Sequence, residues 1–171
     1  MTYKRRAASS VEPDYLTTQH EPVYSGSLGA LQSYLGFYLR LSYRAVVPAV
    51  VERLSSLDLT LAEFGVLVVV DANPDAGLGD IANLLQIDKG NFATLINEMR
   101  RRDLVRRVVS RHDGRRHHLT LTVRGLRKLK RAITDQDALE NSLKHLLGGT
   151  NHKNLMRLLR LVVDRSLLPR H

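Results

Sequence analysis

Apolar residues near the N-terminus recur at three- and four-residue intervals, the spacing of one face of an α-helix. The stripe starts close to Ser27 and consists of Leu28, Leu31, Leu35, Leu39 and Val46. Pro48 has no amide hydrogen and crowds the preceding turn, so it predicts a kink or a break in this helix. Before the stripe, residues 1–26 are rich in Ser, Thr and Pro and lack apolar periodicity, which predicts a mobile arm.

A second helix is predicted to begin at Thr60. Thr60 and Glu63 have the spacing of a capping box, in which the hydroxyl and the carboxylate accept hydrogen bonds from each other's backbone amides. The run at 66–70 is Val-Leu-Val-Val-Val, which by propensity alone suits a buried strand. Because of the capping box, we predict a helix for this run, followed by a turn at 73–77.

Two short helices joined by a tight turn come next. The first starts at Gly77, with Asp80 three residues later, and the turn is Ile87-Asp88, with Asp88 as the cap of the second. Apolar positions place one side of the second helix inward: Phe92, Leu95, Ile96 and Met99. Its outward side is polar: Lys89, Gly90, Asn91, Thr94, Asn97 and Arg101. Such a hairpin suits the major groove of DNA, where Asn pairs with adenine and Thr contacts several base edges.

The chain then predicts a β-hairpin and a capped helix. Residues 107–111 are β-prone, 112–115 form a turn, and 118–122 return with alternating character. Thr122 is placed to cap the helix that follows. A basic hairpin directly after a base-reading helix is a wing, which straddles the DNA backbone and reaches the minor groove.

The C-terminal third is predicted to be two helices separated by a break at 148–150. The first carries an apolar stripe interrupted by a polar patch at 136–140, and the second carries an apolar stripe from Leu155 to Val163. Together with the N-terminal helix, these faces are too apolar to remain monomer surface. The periodicity therefore indicates that they pack on something.

Positive charge is concentrated in the middle of the chain. Residues 89–131 contain fourteen Lys and Arg against three acidic residues, a net charge of +11, whereas the 171-residue chain as a whole has +9. The remainder is therefore slightly acidic. A polyanion is the natural partner of such a patch, because neutralising its phosphates releases condensed counterions.

Composition excludes several other classes of protein. The chain has no cysteine, which excludes disulfides and thiolate metal sites and fits a reducing cytoplasm. The longest apolar run, residues 64–70, is too short to span a membrane. No phosphate loop, nucleophile elbow or metal-spaced set occurs, and His117 and His118 lie in the wing. We therefore expect a cytoplasmic protein that is not an enzyme, without cofactor, metal or membrane partner.

From Leu59 to Gly125 the sequence resembles the MarR family of winged helix-turn-helix transcriptional regulators. The most diagnostic residues are the wing signature Asp113-Gly114-Arg115 and the ending Leu121-Thr122-x-x-Gly125. Other matching residues are Leu59-Thr60, Phe64, Val66-Leu67, Ile81-Ala82-Asn83-Leu84-Leu85, Leu95, Met99 and Leu104-Val105. The resemblance implies that Arg115 enters the minor groove and that Asp113 steadies the hairpin.

Three departures from the family pattern lie around the predicted recognition helix. Asp103 stands where the family usually has glycine, and Asp tolerates the left-handed conformation better than most residues. Thr94 stands where arginine is common, and Lys89-Gly90-Asn91 replaces a run of small residues. The operator sequence therefore cannot be transferred from relatives.

The resemblance implies an α+β fold, mostly α: a winged helix-turn-helix with N- and C-terminal dimerisation helices that interlock in a homodimer. The expected organisation is an arm at 1–26, an N-terminal dimerisation helix at 27–57, a winged helix-turn-helix DNA-binding domain at 58–125 and C-terminal dimerisation helices at 126–171.

The expected function is sequence-specific regulation of transcription, with a dimeric repressor on a pseudo-palindromic operator in double-stranded DNA. Base contacts are assigned to the recognition helix: Lys89, Gly90, Asn91 and Thr94. Asn97 and Arg101 of the same helix are further DNA-binding residues. Backbone and minor-groove contacts are assigned to the wing residues Arg111, Arg115 and Arg116, with Asp113 included in the DNA-binding set as the residue that steadies the hairpin. Alternatives are a low-specificity regulator that displaces nucleoid proteins at AT-rich promoters, and an RNA-associated or scaffolding winged-helix protein.

Arg40 and Arg44 on the first helix have two interpretations. The simpler one, which we favour, is a solvated edge of the dimer helix. The other is an anchor for a carboxylate or phenolate beside Tyr34, Tyr38 and Phe64, since relatives often hold aromatic acids between the dimer helices and the winged module. A small anionic aromatic effector would then release the protein from DNA.

Overall fold

The computed structural model describes residues 26–109 and 117–164. Within these residues the fold is mostly α-helical with one two-stranded antiparallel sheet. The helices are α1 (Leu35–Ser55), α2 (Leu61–Ala72), α3 (Leu78–Leu84), α4 (Lys89–Arg101), α5 (Val123–Leu147) and α6 (Gly149–Val163), and the strands are β1 (Val105–Val109) and β2 (His117–Leu121). The described residues belong to two compact units, which are divided between Arg40 and Leu41.

The first α-helix starts later than the apolar stripe predicts. A 3-10 helix, Gly29–Ser33, comes first, and Tyr34 after it is extended, with φ −99° and ψ 114°. The extended backbone at Tyr34 interrupts the helical segment directly before α1. The prediction of one helix from Ser27 onward is therefore wrong, and α1 begins at Leu35.

α1 does not break at Pro48, although Pro48 lies inside it. A proline in a helix interior costs about 3 kcal/mol because a hydrogen bond is lost and the ring crowds the preceding turn. The second half of α1 buries Leu54 completely and packs Val50 against the core. Full burial of such a side chain contributes about 1.5–3 kcal/mol, which offsets the proline. Of the predicted kink or break, the break is wrong because tertiary packing outweighs the local cost, and the kink stays a prediction.

The capping box at the start of α2 is confirmed. The Thr60 hydroxyl oxygen accepts a hydrogen bond from the Glu63 amide at 3.2 Å, and the Glu63 carboxylate accepts one from the Thr60 amide at 2.8 Å. The valine-rich run is helical, and it buries Val66, Leu67 and Val70 in the core. The helix predicted from the capping box is therefore confirmed, and the strand that propensity alone suggested does not form.

The helix-turn-helix consists of α3 and α4. The Asp80 carboxylate accepts a hydrogen bond from the Gly77 amide at 3.1 Å, as the predicted start of α3 requires. The reversal of the chain lies slightly before the predicted turn, since Gln86 has φ +54°. Asp88 then caps α4 through the Asn91 amide at 3.0 Å.

In the described part of the hairpin, the first strand starts two residues before its predicted start and the second strand ends one residue before its predicted end. β1 starts at Val105, paired with Leu121, and the described part of the ladder ends with Val109 opposite His117. Gly77, at the start of α3, adds an isolated antiparallel bridge to His118, which the sequence did not indicate. Thr122 caps α5 as predicted, accepting from the Gly125 amide at 2.9 Å.

One core unites the winged module with α5. Its buried residues are Leu54, Leu59, Val66, Leu67, Val70, Ile81, Ala82, Phe92, Ile96, Met99, Leu104, Val105, Leu119, Leu129 and Ala132. α5 packs against α2, β2 and α6. Gly148, with φ +76°, separates α5 from α6. The predicted break at 148–150 is therefore confirmed at its first residue, whereas the two residues after it belong to α6. No helix in the described part of the chain is long and apolar enough to cross a membrane.

Candidate nucleic-acid interface

α4 has two distinct faces. Phe92, Ile96 and Met99 are buried, and Leu95 packs against the core from a half-buried position. All six polar residues predicted to face outward are exposed: Lys89, Gly90, Asn91, Thr94, Asn97 and Arg101. The predicted division into a core face and a solvent face is therefore correct, and the six residues lie together on one helix surface.

Asn91 is oriented by the residue that caps the helix. The Asp88 carboxylate accepts hydrogen bonds from both the backbone amide and the side-chain Nδ2 of Asn91. A side-chain amide has two N–H donors and one carbonyl acceptor, so one donor and the acceptor remain for a partner outside the protein. These two groups are what a bidentate contact to adenine requires.

The remaining helix residues have their own local contacts. The Thr94 hydroxyl donates to the Gly90 carbonyl at 3.2 Å, and the Arg101 guanidinium lies 2.6 Å from the Glu98 carboxylate. Both contacts are within one helical turn and exposed, so each is weak enough to exchange for a contact with a ligand. Lys89 lies in the first turn of α4, at the same end as Asn91.

An open cleft of about 470 Å³ runs between the second half of α4 and β1. It is lined by Asn97, Arg100, Arg101, Asp103, Val105, Arg106 and Arg107. Four arginines against one aspartate make the cleft strongly positive. Such a surface attracts a polyanion over long distances and binds its phosphates at short range.

The turn between α4 and β1 keeps its shape without glycine. Asp103 has φ +54°, in the left-handed region, and the Leu104 amide donates to the Met99 carbonyl at 2.9 Å to close the helix end. The Thr122 hydroxyl donates to the Asp103 carbonyl at 2.6 Å. The expectation that aspartate can replace the family glycine is confirmed. The wing residues Arg111, Asp113, Arg115 and Arg116 lie outside the described residues.

A cluster of charges ties the C-terminal end of α4 to the loop between α1 and α2. The Arg102 guanidinium donates to the Glu63 carboxylate, to the Asp58 carbonyl and, at 2.8 Å, to the Asp58 carboxylate. Lys128 of α5 donates to the Leu57 carbonyl and lies 3.3 Å from the Asp58 carboxylate. We call Asp58, Glu63, Arg102 and Lys128 the ionic junction.

The junction stabilises the charged forms of Asp58 and Arg102. Hydrogen bonds from Lys128 and from Arg102 lower the pKa of Asp58 below its ordinary value of 3.8. Desolvation opposes the charge of the Arg102 guanidinium, but the attraction of Glu63 and the hydrogen bonds outweigh it and raise the pKa of Arg102. Glu63 is 2% exposed, and its carboxylate forms an ion pair with Arg102.

The five residues of the predicted ligand site are described individually. Tyr34, Tyr38, Arg40 and Arg44 are exposed, and Phe64 is half-buried and packed against the core. The Arg40 guanidinium lies 5.3 Å from the centre of the Phe37 ring, in a cation–π contact. A ligand role for these residues stays a prediction.

Arg100, Arg106 and Arg107 in the cleft, and the ionic junction, were not predicted as functional features from the sequence. The excess of positive charge in 89–131 signalled the cleft without identifying which arginines share a face. The junction had no comparable signal, because Arg102 and Glu63 are 39 positions apart. Within residues 26–109 and 117–164, no group of three or more His, Asp and Glu could hold a metal ion.

Comparison with known proteins agrees with this geometry. Residues 57–116 match the sequence model of the MarR family. A protein described as a transcriptional regulatory protein for the hcr operon of Thauera aromatica is 26% identical over 113 residues, which cover 64% of this chain and 68% of that protein.

Solved structures give the stronger similarity. The transcriptional repressor CouR bound to a 23-mer DNA duplex superposes with a TM-score of 0.77 and 31% identity, covering 82% of this chain and all of CouR. CouR bound to p-coumaroyl-CoA superposes with a TM-score of 0.72 and 30% identity, covering 81% of this chain and 97% of that one. With the capped α4, the hairpin and the cap of α5 at Thr122, these matches show that the chain belongs to the MarR family of winged helix-turn-helix transcriptional regulators.

Proposed function

We propose that this protein is a homodimeric, sequence-specific repressor of transcription that binds a pseudo-palindromic operator in double-stranded DNA. The observation that carries the proposal is the exposed face of α4, where Asp88 orients Asn91 beside a cleft with four arginines. Support comes from CouR, a repressor whose structure with a DNA duplex is similar to this chain.

The proposal divides the contacts by type. The first two turns of α4 read base edges in the major groove, with Asn91 on adenine and Thr94 and Lys89 beside it. Arg101, Arg106 and Arg107 hold phosphates, and Asn97 lies at the border between the two sets. The wing residues Arg111, Arg115 and Arg116, with Asp113 as the hairpin brace, extend the contacts to the minor groove.

Dimerisation determines the form of the operator. Two recognition helices related by a two-fold axis enter successive major grooves, which places the half-site centres about 34 Å apart, or roughly 10 base pairs. We propose that the apolar faces of the terminal helices form the dimer, so that the operator is an inverted repeat with this spacing.

Selection from a random DNA pool, followed by footprinting, tests the proposed function. We expect enrichment of an inverted repeat and a short protected region with two-fold symmetry. Protection that spreads over AT-rich DNA without a repeat would instead support a low-specificity regulator that displaces nucleoid proteins. The absence of any duplex protection would support an RNA-associated or scaffolding role.

We further propose that a small anionic aromatic ligand releases the protein from its operator. CouR has been solved with p-coumaroyl-CoA, an aromatic acid joined to an anionic coenzyme, at 30% identity to this chain. Arg40 and Arg44 are exposed cations on α1, close in sequence to Tyr34 and Tyr38, and supply the charge and the rings that such a ligand needs.

Thermal shift with hydroxybenzoates, hydroxycinnamates and their coenzyme A thioesters tests the effector. We expect one of these classes to raise the melting temperature and to release operator DNA. Arg40→Ala and Arg44→Ala should keep operator affinity and lose the release. If no compound stabilises the folded wild-type protein, the arginines are a solvated helix edge and the effector proposal is wrong.

A further inference from the structure

Arg102 lies at the end of the recognition helix but does not share its exposed polar face. It is the C-terminal cap residue of α4, directly after Arg101 and directly before the left-handed Asp103. Its side chain is 22% exposed, whereas that of Arg101 is 77% exposed. Among three consecutive arginines, the middle one faces solvent and Arg102 turns back toward the protein.

We propose that Arg102 is a positioning residue that determines sequence specificity: it fixes the angle at which α4 presents its base-reading face by binding the helix end to the loop between α1 and α2. The proposal rests on the proposed function, since a recognition helix that reads bases is its premise. Arg102 itself contacts no base and no phosphate.

The contacts of Arg102 join separate parts of the fold. One guanidinium nitrogen donates to the Glu63 carboxylate, whose other oxygen accepts from the Thr60 amide in the capping box of α2. The other nitrogen donates to the carbonyl and the carboxylate of Asp58. The end of α4 is therefore held to the first turn of α2 and to the end of the α1–α2 loop by one planar group.

The opposite side of the junction is equally fixed. Asp58 has φ +52°, and its carbonyl and carboxylate face both Arg102 and Lys128. Lys128 extends from α5 and also binds the Leu57 carbonyl. The anchor point of Arg102 is thus supported by α5, so that a rotation of α4 has to break several charged hydrogen bonds together.

Base recognition depends on this angle more than phosphate binding does. A bidentate contact requires two hydrogen bonds with defined directions, which a small rotation of the helix misaligns. Arginines in the cleft bind phosphates through long side chains that can follow such a rotation. Loss of Arg102 should therefore lower affinity for the operator and leave nonspecific affinity nearly unchanged.

The test compares affinities of Arg102 variants for the operator selected by the wild-type protein and for a scrambled duplex. For Arg102→Gln we expect a fall in operator affinity of about 5- to 100-fold, the range of one lost base contact, with nonspecific affinity within about twofold. The dependence of nonspecific binding on salt should keep its slope, because no phosphate contact is removed. Arg102→Lys keeps the positive charge and can still pair with one of the two acidic partners, although it cannot reach both at once. Its loss of operator affinity should therefore be smaller than that of Arg102→Gln.

A buried, unpaired Glu63 could unfold the single variant, so the double variant Glu63→Gln with Arg102→Gln is measured in parallel. It leaves no uncompensated buried charge, and the carboxamide that replaces the Glu63 carboxylate can still accept from the Thr60 amide. It should show the same loss of specificity with a helical circular dichroism spectrum. Asp135→Asn is the matched control, because it breaks the Arg131–Asp135 pair of 3.5 Å on α5 without removing a positive charge, and it should leave both affinities unchanged.

Two results would overturn the proposal. If the folded variants keep the wild-type ratio of operator to nonspecific affinity, Arg102 only stabilises the fold. If both affinities fall together and the salt slope decreases by about one unit, Arg102 is itself a phosphate contact. A wild-type protein without any sequence preference would overturn the proposed function and this proposal together, whereas either result above leaves the proposed function intact.

Discussion

Among the glycines in the described part of the chain, Gly125 has the least space for a side chain. A Cβ atom there would lie 2.0 Å from the Leu104 carbonyl oxygen and 3.0 Å from its carbon. That carbonyl accepts from the Thr122 amide at 3.1 Å, so it cannot move without opening the cap of α5. In this fold there is therefore a steric reason for glycine at the last position of the Leu121-Thr122-x-x-Gly125 motif.

Gly125→Ala should lower the free energy of unfolding by about 1–3 kcal/mol or more, since the added methyl group has no free space. Gly79→Ala is the matched control, because nothing lies within 4 Å of a Cβ at that helical position. The control should be neutral or stabilise by up to about 1 kcal/mol. Urea denaturation followed by circular dichroism measures both, and equal stability of the two variants would contradict the steric argument.

Asp58 gives a prediction for pH. Its pKa is lowered in the folded protein by hydrogen bonds from Lys128 and Arg102, so its stabilising effect is complete above the ordinary value of 3.8 and is lost as the pH falls below it. Asp58→Asn should be less stable than wild type at pH 7, and the difference should shrink below about pH 4. Asn also tolerates φ +52°, so the substitution mainly removes the charge.

Denaturation of both proteins at pH 7, 5 and 3 measures this difference. A constant gap between wild type and Asp58→Asn down to pH 3 would mean that Asp58 does not stabilise the fold through its charge. Arg131→Ala provides a reference for the loss of an exposed ion pair, which typically contributes under about 1 kcal/mol.

At the scale of elements, local patterns predicted which segments are helices and strands, and tertiary contacts decided their ends. The Thr60–Glu63 box correctly placed α2 despite its valine run. The break predicted at Pro48 does not occur, because α1 is kept intact by the burial of Leu54, which depends on residues distant in sequence. β1 starts at Val105 because Val105 pairs with Leu121. The sequence of β1 alone does not show this cross-strand pair.

The candidate site divides in the same way. Helical periodicity was sufficient to identify the exposed face of α4, since all its members lie within thirteen residues. The cleft combines that helix with β1, and Arg106 and Arg107 join it only through the turn at Asp103. The ionic junction brings together residues from position 58 to position 128, so only the folded chain shows it.

α4 and β1 should contribute to DNA binding in different ways. Asn91→Ala should lower operator affinity by roughly 1–3 kcal/mol and leave nonspecific binding nearly unchanged, because it removes a base contact. Arg107→Ala should weaken binding to all sequences and lower the salt slope by about one unit, because it removes a phosphate contact. Titrations at several salt concentrations measure both. A proportional loss of specific and nonspecific affinity in both variants would show that the assignment is wrong.

At the scale of the whole molecule, the C-terminal helices carry an apolar surface that the single chain leaves open. Leu158 and Leu161 on α6 are 49% and 47% exposed. Other exposed apolar residues of α5 and α6 are Val123, Leu126, Ile133, Leu146, Leu155, Met156 and Val163. So many exposed apolar side chains are unusual for a monomer and typical of an interface. It supports the proposed homodimer.

The double variant Leu158→Glu with Leu161→Glu should be monomeric at low micromolar concentration. Each leucine contributes about 1.5–3 kcal/mol when fully buried in the dimer, and a carboxylate there is left unpaired. Both side chains are largely exposed in the single chain, so the winged module should stay folded. Analytical ultracentrifugation measures the mass, with Leu84→Glu as the control at an exposed position of α3. A folded, dimeric double variant would contradict the proposed dimer surface.

At Gly148, the number of residues that connect α5 to α6 is itself constrained. It is the only residue between α5 and α6, and His152 of α6 is bound to Glu140 of α5 at 2.6 Å, so the connection has no slack. One inserted residue would rotate α6 by about 100° around its axis, since an α-helix has 3.6 residues per turn. The rotation would carry the leucine stripe away from its present direction without changing any side chain. Insertions and deletions at this point should therefore be tolerated far less than substitutions of the exposed polar residues around it.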